Sequence, residues 1–171
     1  MFLRINNKGF TIVEMLVSVF IIALLTAIFL ANYRSGGGNL ELKNAAQKMA
    51  SDIRLAQSYS LNGKRFLNSS DWGVYFNKPG NAYSLFADTC SPKPCTPGWS
   101  AGENYLTIPL PANIEISQIS SGNTATVVFI PPDPDILING SASEATITLR
   151  NKKTSNTLIV HFNKLGLIEV E

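Results

Sequence analysis

The segment K-G-F-T-I-V-E, residues 8–14, places a carboxylate where carboxylates are costly. Glu14 lies four residues into an apolar run that extends from Phe10 to Ala31. An acid inside such a run is rare in a membrane helix, and it usually faces a partner of opposite charge. In a helix Glu14 would sit only ~6 Å along the axis from Phe10, close to an interface, where the cost is smaller than at the bilayer centre. The residue types here offer ion pairing rather than catalysis. Gly9 supplies unhindered, flexible backbone immediately before the run.

Other side chains could also do chemistry. Cys90 and Cys95 frame S-P-K-P in the loop D-T-C-S-P-K-P-C-T-P-G. Outside the cytoplasm their default state is a disulfide closing a small loop. The alternative is half of a metal site, which lacks a second cysteine pair and has only His161 for an imidazole. His161 sits in L-I-V-H-F, where alternation puts it opposite Val160 and Phe162, facing solvent or satisfied on a strand. Serines and acids are plentiful, but no G-x-S-x-G or comparable context surrounds them, so no catalytic residue is assigned. No cofactor is expected.

The elements that position these residues follow from composition. The chain has 171 residues, net charge +2, 15% charged and 45% hydrophobic side chains. That is room for one domain and a small appendage, with no global field that calls for nucleic acid. The 22 residues from Phe10 to Ala31 would span roughly 33 Å as a helix, enough to cross hydrocarbon. Arg4 and Lys8 precede the run with no acid beside them, which orients Met1 to the cytoplasm and everything after Arg34 outside. A secretory signal peptide is the competing reading. T-A-I-F-L-A-N-Y is a poor version of its small-residue cleavage site, and the run exceeds the usual signal core.

Four zones result: a leader at 1–9, an anchor helix at 10–34, an amphipathic helix at 39–63 and a β domain at 64–171. Gly36-Gly37-Gly38 predicts a hinge or break between the helices, since each glycine costs about 1 kcal/mol against alanine. Asn39 is the expected N-cap of the second helix and Gly63 its C-terminal stop. Its apolar stripe is Leu42, Ala45, Ala46, Met49, Ile53, Ala56 and Tyr59, with Lys43, Lys48, Asp52 and Arg54 mostly off it. Nine short β-like runs follow, from Trp72–Phe76 to Leu167–Val170, separated by turn residues such as Asn139-Gly140 and 163–166. Short connections imply antiparallel pairing. The fold class is therefore α+β, with the helix packed on an antiparallel sheet.

Lys8-Gly9-Phe10, then Glu14, then a long apolar helix, resembles the class III signal of type IV pilins and pseudopilins over residues 4–34. The resemblance implies that a prepilin peptidase cuts after Gly9 and methylates the new amine of Phe10. It also implies that Glu14 pairs with the amine of a neighbouring subunit during filament assembly. A proline common near mature position 22 in the family is Ala31 here, and the resemblance leaves its loosening effect to the glycine triplet just beyond. The remainder resembles, more weakly, the H-type minor pseudopilins of type II secretion and related minor pilins. It does so through residues 45–60, W-G-V-Y-F (72–76), V-F-I-P-P-D-P (128–134) and G-L-I-E-V (166–170).

The resemblance implies a structural subunit, not an enzyme, of a type IV pilus-like or type II secretion filament. Its partners would be prepilin peptidase, other pilin or pseudopilin subunits, the inner-membrane assembly platform and the membrane itself. Its place would be a single-pass cytoplasmic (inner) membrane, with the globular domain periplasmic or extracellular. The alternative is a surface-binding minor pilin for adhesion or DNA uptake on the same anchor. DNA binding needs clustered cations, and the nearest are Lys64-Arg65 and Arg150, Lys152 and Lys153; nucleic acid is not the expected partner.

Overall fold

The computed structural model describes residues 9–78, 80–89, 99–131, 135–139 and 142–171, with backbone alone for 31–36 and 135. The chain divides into two compact units, Met1–Gly37 and Gly38–Glu171. Helix α1 covers Ile12–Leu61 and so contributes to both. The expected anchor and amphipathic helices are the two ends of this one element.

The first unit is simple where it is described. Every side chain from Phe10 to Leu30 is exposed. Residues Ile12–Leu30 are long and apolar enough to cross a membrane, and none of that window is buried against protein. The core helix of a soluble domain would bury one face. Here the apolar surface faces outward on all sides, as a helix destined for lipid or for other chains does.

Backbone stays helical through residues 35–38, so the break expected at the glycine triplet is not there. Gly38 has a packing reason to be glycine instead. A Cβ there would lie 2.9 Å from Thr154 Cγ2, and its carbonyl accepts from Asn151 Nδ2 at 2.9 Å. Asn39 is likewise not a cap, because the helix is already running when it is reached. Its side-chain oxygen accepts from Asn156 Nδ2. The C-terminal stop is as expected. Gly63 takes φ +62°, with Gly63 N bonded to Ser60 O at 2.9 Å and Lys64 N to Tyr59 O at 2.9 Å. These paired bonds are a Schellman motif, which satisfies orphan carbonyls at the helix end.

Among the described residues the β domain holds nine strands in two sheets. One has the order β3-β2-β1-β5-β6, the other β4-β7-β8-β9. The first comprises β1 (Trp72–Asn77), β2 (Ala82–Ala87), β3 (Asn104–Pro109), β5 (Thr124–Ile130) and β6 (Asp135–Ile138). The second comprises β4 (Ile114–Ile119), β7 (Glu144–Asn151), β8 (Thr157–Asn163) and β9 (Ile168–Val170). Every pair is antiparallel. The helical stripe is buried from Leu42 to Ala56, with Ala50 joining it and Tyr59 at its margin. It shares one core with Trp72, Val74, Phe76 and Leu85 of the first sheet and with Ile147, Leu149, Val160 and Phe162 of the second. Alanines at 45, 46, 50 and 56 keep the helix surface low, and Met49 and Ile53 fill the space between.

Gly73 shows how close the packing is in the middle of the first sheet. A Cβ on it would meet Phe86 Cζ at 2.6 Å and the Val127 carbonyl oxygen at 2.6 Å. The aromatic ring can move; the backbone oxygen of the neighbouring strand cannot move without disturbing the ladder. Gly73→Ala should therefore destabilise the domain by about 1–3 kcal/mol through overpacking. Denaturant unfolding of the full chain in detergent, followed by the fluorescence of its two tryptophans, reads the shift.

Candidate functional site

The residues singled out at the start of the chain come together through local geometry. Gly9, Phe10 and Thr11 are non-helical, and α1 starts at Ile12. Gly9 and Phe10 are both exposed. The first helical bond runs from Met15 N to Thr11 O at 3.1 Å. Glu14 N donates to Thr11 Oγ1 at 3.2 Å, and Thr11 N donates to Glu14 Oε2 at 3.5 Å. This is a capping box, T-I-V-E, in which the cap hydroxyl and the carboxylate three residues on each take one orphan amide. The negative side chain also sits at the positive end of the helix dipole.

The capping role of Thr11 was legible in the sequence, since a threonine followed by glutamate at the third position before an apolar run is its signature. Further along, Ser18 Oγ donates to Glu14 O at 2.8 Å and Thr26 Oγ1 to Ile22 O at 2.7 Å. Both hydroxyls are thus satisfied within the helix, which lets them lie in an apolar segment at low cost. Glu14 has no such closure. A carboxylate offers about four acceptor positions, and among the described residues only the Thr11 amide reaches it, at long range.

The remaining candidates take structural roles or lie elsewhere. Cys90 and Cys95 fall outside the described residues, and so do Arg4, Lys8 and Gly140. The two chain ends that lead into the cysteine loop are held by Glu103, at the end of a single 3-10 turn, Ala101–Glu103. Its carboxylate accepts from Thr89 N at 2.9 Å, Thr89 Oγ1 at 2.5 Å and Ser100 N at 2.9 Å. Burial by itself would push this acid up, but the hydrogen bonds from Thr89 and Ser100 outweigh it and hold it below its ordinary value of 4.5. The clamp's contribution is complete above about pH 4.5 and is lost as pH falls through the lower folded value. Acidification to that range should speed protease cutting near residues 89–100, while Glu103→Gln should be cut readily at neutral pH with little further change in acid.

His161 is half-buried on β8, 3.4 Å from Glu144 Oε2, between buried Val160 and Phe162, as alternation predicted. Two cations of the basic turn, Arg150 and Lys152, are already engaged. Arg150 bonds Glu115 Oε1 at 2.5 and 3.0 Å, and Lys152 reaches Glu115 Oε2 at 3.8 Å. Lys64 is turned onto rings, its ammonium 3.5 Å from the centroid of Tyr59 and 4.8 Å from that of Tyr105. Cations committed in this way carry less field for phosphates.

Residues 4–30 match the family model of the prokaryotic N-terminal methylation motif. No curated protein and no solved structure matches the chain. The motif supports a class III prepilin signal and, with the exposed apolar helix, a type IV pilin-like subunit with a membrane anchor. It implies processing by prepilin peptidase and assembly with other pilin subunits.

Proposed function

We propose that this chain is a minor pilin or pseudopilin of a type IV pilus-like or type II secretion filament. In this reading the peptidase cuts after Gly9, the new amine of Phe10 is methylated, and Glu14 pairs with that amine on a neighbouring subunit. The supporting observation is the junction itself. A matched methylation motif coincides with an exposed, non-helical Gly9–Phe10 peptide, four residues ahead of a carboxylate that only the Thr11 amide reaches among the described residues. Cutting there removes Arg4 and Lys8 but keeps the whole anchor, so the product stays in the membrane with its β domain outside. The new amine is a cation generated at the depth where Glu14 needs one. The H-type subtype, carried by the weaker resemblance of residues 45–60, 72–76, 128–134 and 166–170, is part of the proposal.

The test is the mass of the N-terminal peptide from cells with and without active prepilin peptidase. A peptide that begins at Phe10 and carries one extra methyl, only when the peptidase is active, is the expected result. An intact Met1 in both cells, or an end beyond Leu25, would overturn the reading.

A further inference from the structure

The capping box does more than start a helix; it decides where the helix does not go. The inference rests on the Gly9–Phe10 cut proposed above. Hydrolysis breaks the bond between the Gly9 carbonyl carbon and the Phe10 nitrogen; water supplies the hydroxyl that ends on the Gly9 carbonyl and the proton that ends on the Phe10 amine. A peptidase must reach that carbonyl in extended backbone, before helical hydrogen bonds occupy it.

The boundary that keeps it extended falls at Thr11. Its hydroxyl takes the Glu14 amide at 3.2 Å and its own amide points to Glu14 Oε2 at 3.5 Å, so α1 begins at Ile12 with Gly9 and Phe10 outside. The nearest good capping types upstream are Asn6 and Asn7. A helix that began after Asn7 would place Lys8, Gly9 and Phe10 at its first three positions. Neither asparagine has a glutamate or glutamine three residues on; Gly9 and Phe10 stand there. Of these three capping candidates Thr11, with Glu14, has the complete box, and it favours the boundary that leaves the junction free.

We propose that Thr11 is a positioning residue for processing: by capping α1 at Ile12 it holds the Gly9–Phe10 peptide in the cleavable, non-helical form. Thr11 never touches the reacting carbonyl. It acts on the fraction of chains whose junction is extended, so its loss raises KM and leaves kcat unchanged.

Full-length chain in detergent, incubated with purified prepilin peptidase, gives the test. Thr11→Val keeps the side chain's shape and removes the cap. Thr11→Ser and Thr11→Asn change the shape and keep a cap. The valine variant should lose roughly fivefold in kcat/KM, through KM, the size expected for a lost N-cap. The serine and asparagine variants should stay within about twofold of the parent, in line with their similar capping strength. Valine cut as fast as the parent, or serine and asparagine as slow as valine, would overturn the proposal. Failure of the parent chain to be cut at Gly9–Phe10 would instead overturn the functional reading on which it rests.

Discussion

Glu14→Gln should leave cleavage after Gly9 and methylation of Phe10 intact and still reduce entry into filaments at least tenfold. The amide is the sharper substitution because Gln keeps the acceptor oxygen of the capping box, and with it the start of α1. What it removes is the charge. Among the described residues Glu14 meets only the Thr11 amide, at 3.5 Å, so within them its negative charge is left largely unanswered in an apolar setting. An ion pair with the amine of a second chain would answer it. Removing one member of a desolvated pair leaves the other charge uncompensated, at a cost of about 3–5 kcal/mol when fully buried. Even a third of that, at a partly hydrated depth, is tenfold in an equilibrium constant. The N-terminal peptide mass reports processing, and the share of the chain in sheared filaments reports assembly. Normal filament content with glutamine at 14 would mean that the carboxylate serves only to cap its own helix, and the pairing role would fall.

Much of the β domain was readable because its rules are local. All nine expected runs are strands, with ends displaced by at most two residues. Alternation of apolar residues gave the buried face of β7 and β8, and Gly63 marked the helix end because glycine enters the left-handed conformation at little cost. The failures share a different cause. Gly36-Gly37-Gly38 reads as a break when the only quantity weighed is helix propensity. Gly38 is small because Thr154 and Asn151, more than a hundred residues later, sit against it. No window of sequence contains that contact. The turn at Phe66–Ser69 is another case. Leu67 and Asn68 take φ +50° and +66°, and no Asn-Gly or Asp-Gly pair announces them. The left-handed conformation costs a leucine about 1–2 kcal/mol. It is held by Ser69 Oγ donating to Asp88 O at 2.5 Å and by Phe66 packed edge-on to Tyr105, 5.1 Å between centroids. At the N-terminal junction the balance reverses, because T-I-V-E is wholly local and its signal stood in plain sight.

Asp52 is the clearest polar residue whose role only tertiary structure reveals, and its removal should be among the costliest changes in the β domain. From the sequence it lies beside the apolar stripe. In the fold it is buried and accepts from Tyr83 of β2 at 2.5 Å, with Lys48 Nζ one helical turn earlier at 3.1 and 3.2 Å. The bond ties helix to sheet inside the core. Asp52→Ala strands a buried phenol hydroxyl and should cost about 1–3 kcal/mol. Tyr83→Phe should cost less, since Asp52 keeps its lysine. The double variant should be more stable than the two single costs predict by about 1 kcal/mol or more, because the pair is lost only once. The same contact sets a pH dependence. Burial, and then the Asp52 carboxylate, push the Tyr83 phenol well above its ordinary value of 10.0. A group raised in the folded state contributes fully below the unfolded value and loses that contribution as pH rises from there toward the folded one. Stability of the parent should therefore fall above pH 10, and Tyr83→Phe should flatten that fall. Chemical denaturation of the full chain in detergent at pH 8 and at pH 11 checks both. Equal slopes for parent and Tyr83→Phe would show that the phenol ionises elsewhere than in the core, and additive single costs would show that Asp52 and Tyr83 do not act as a pair.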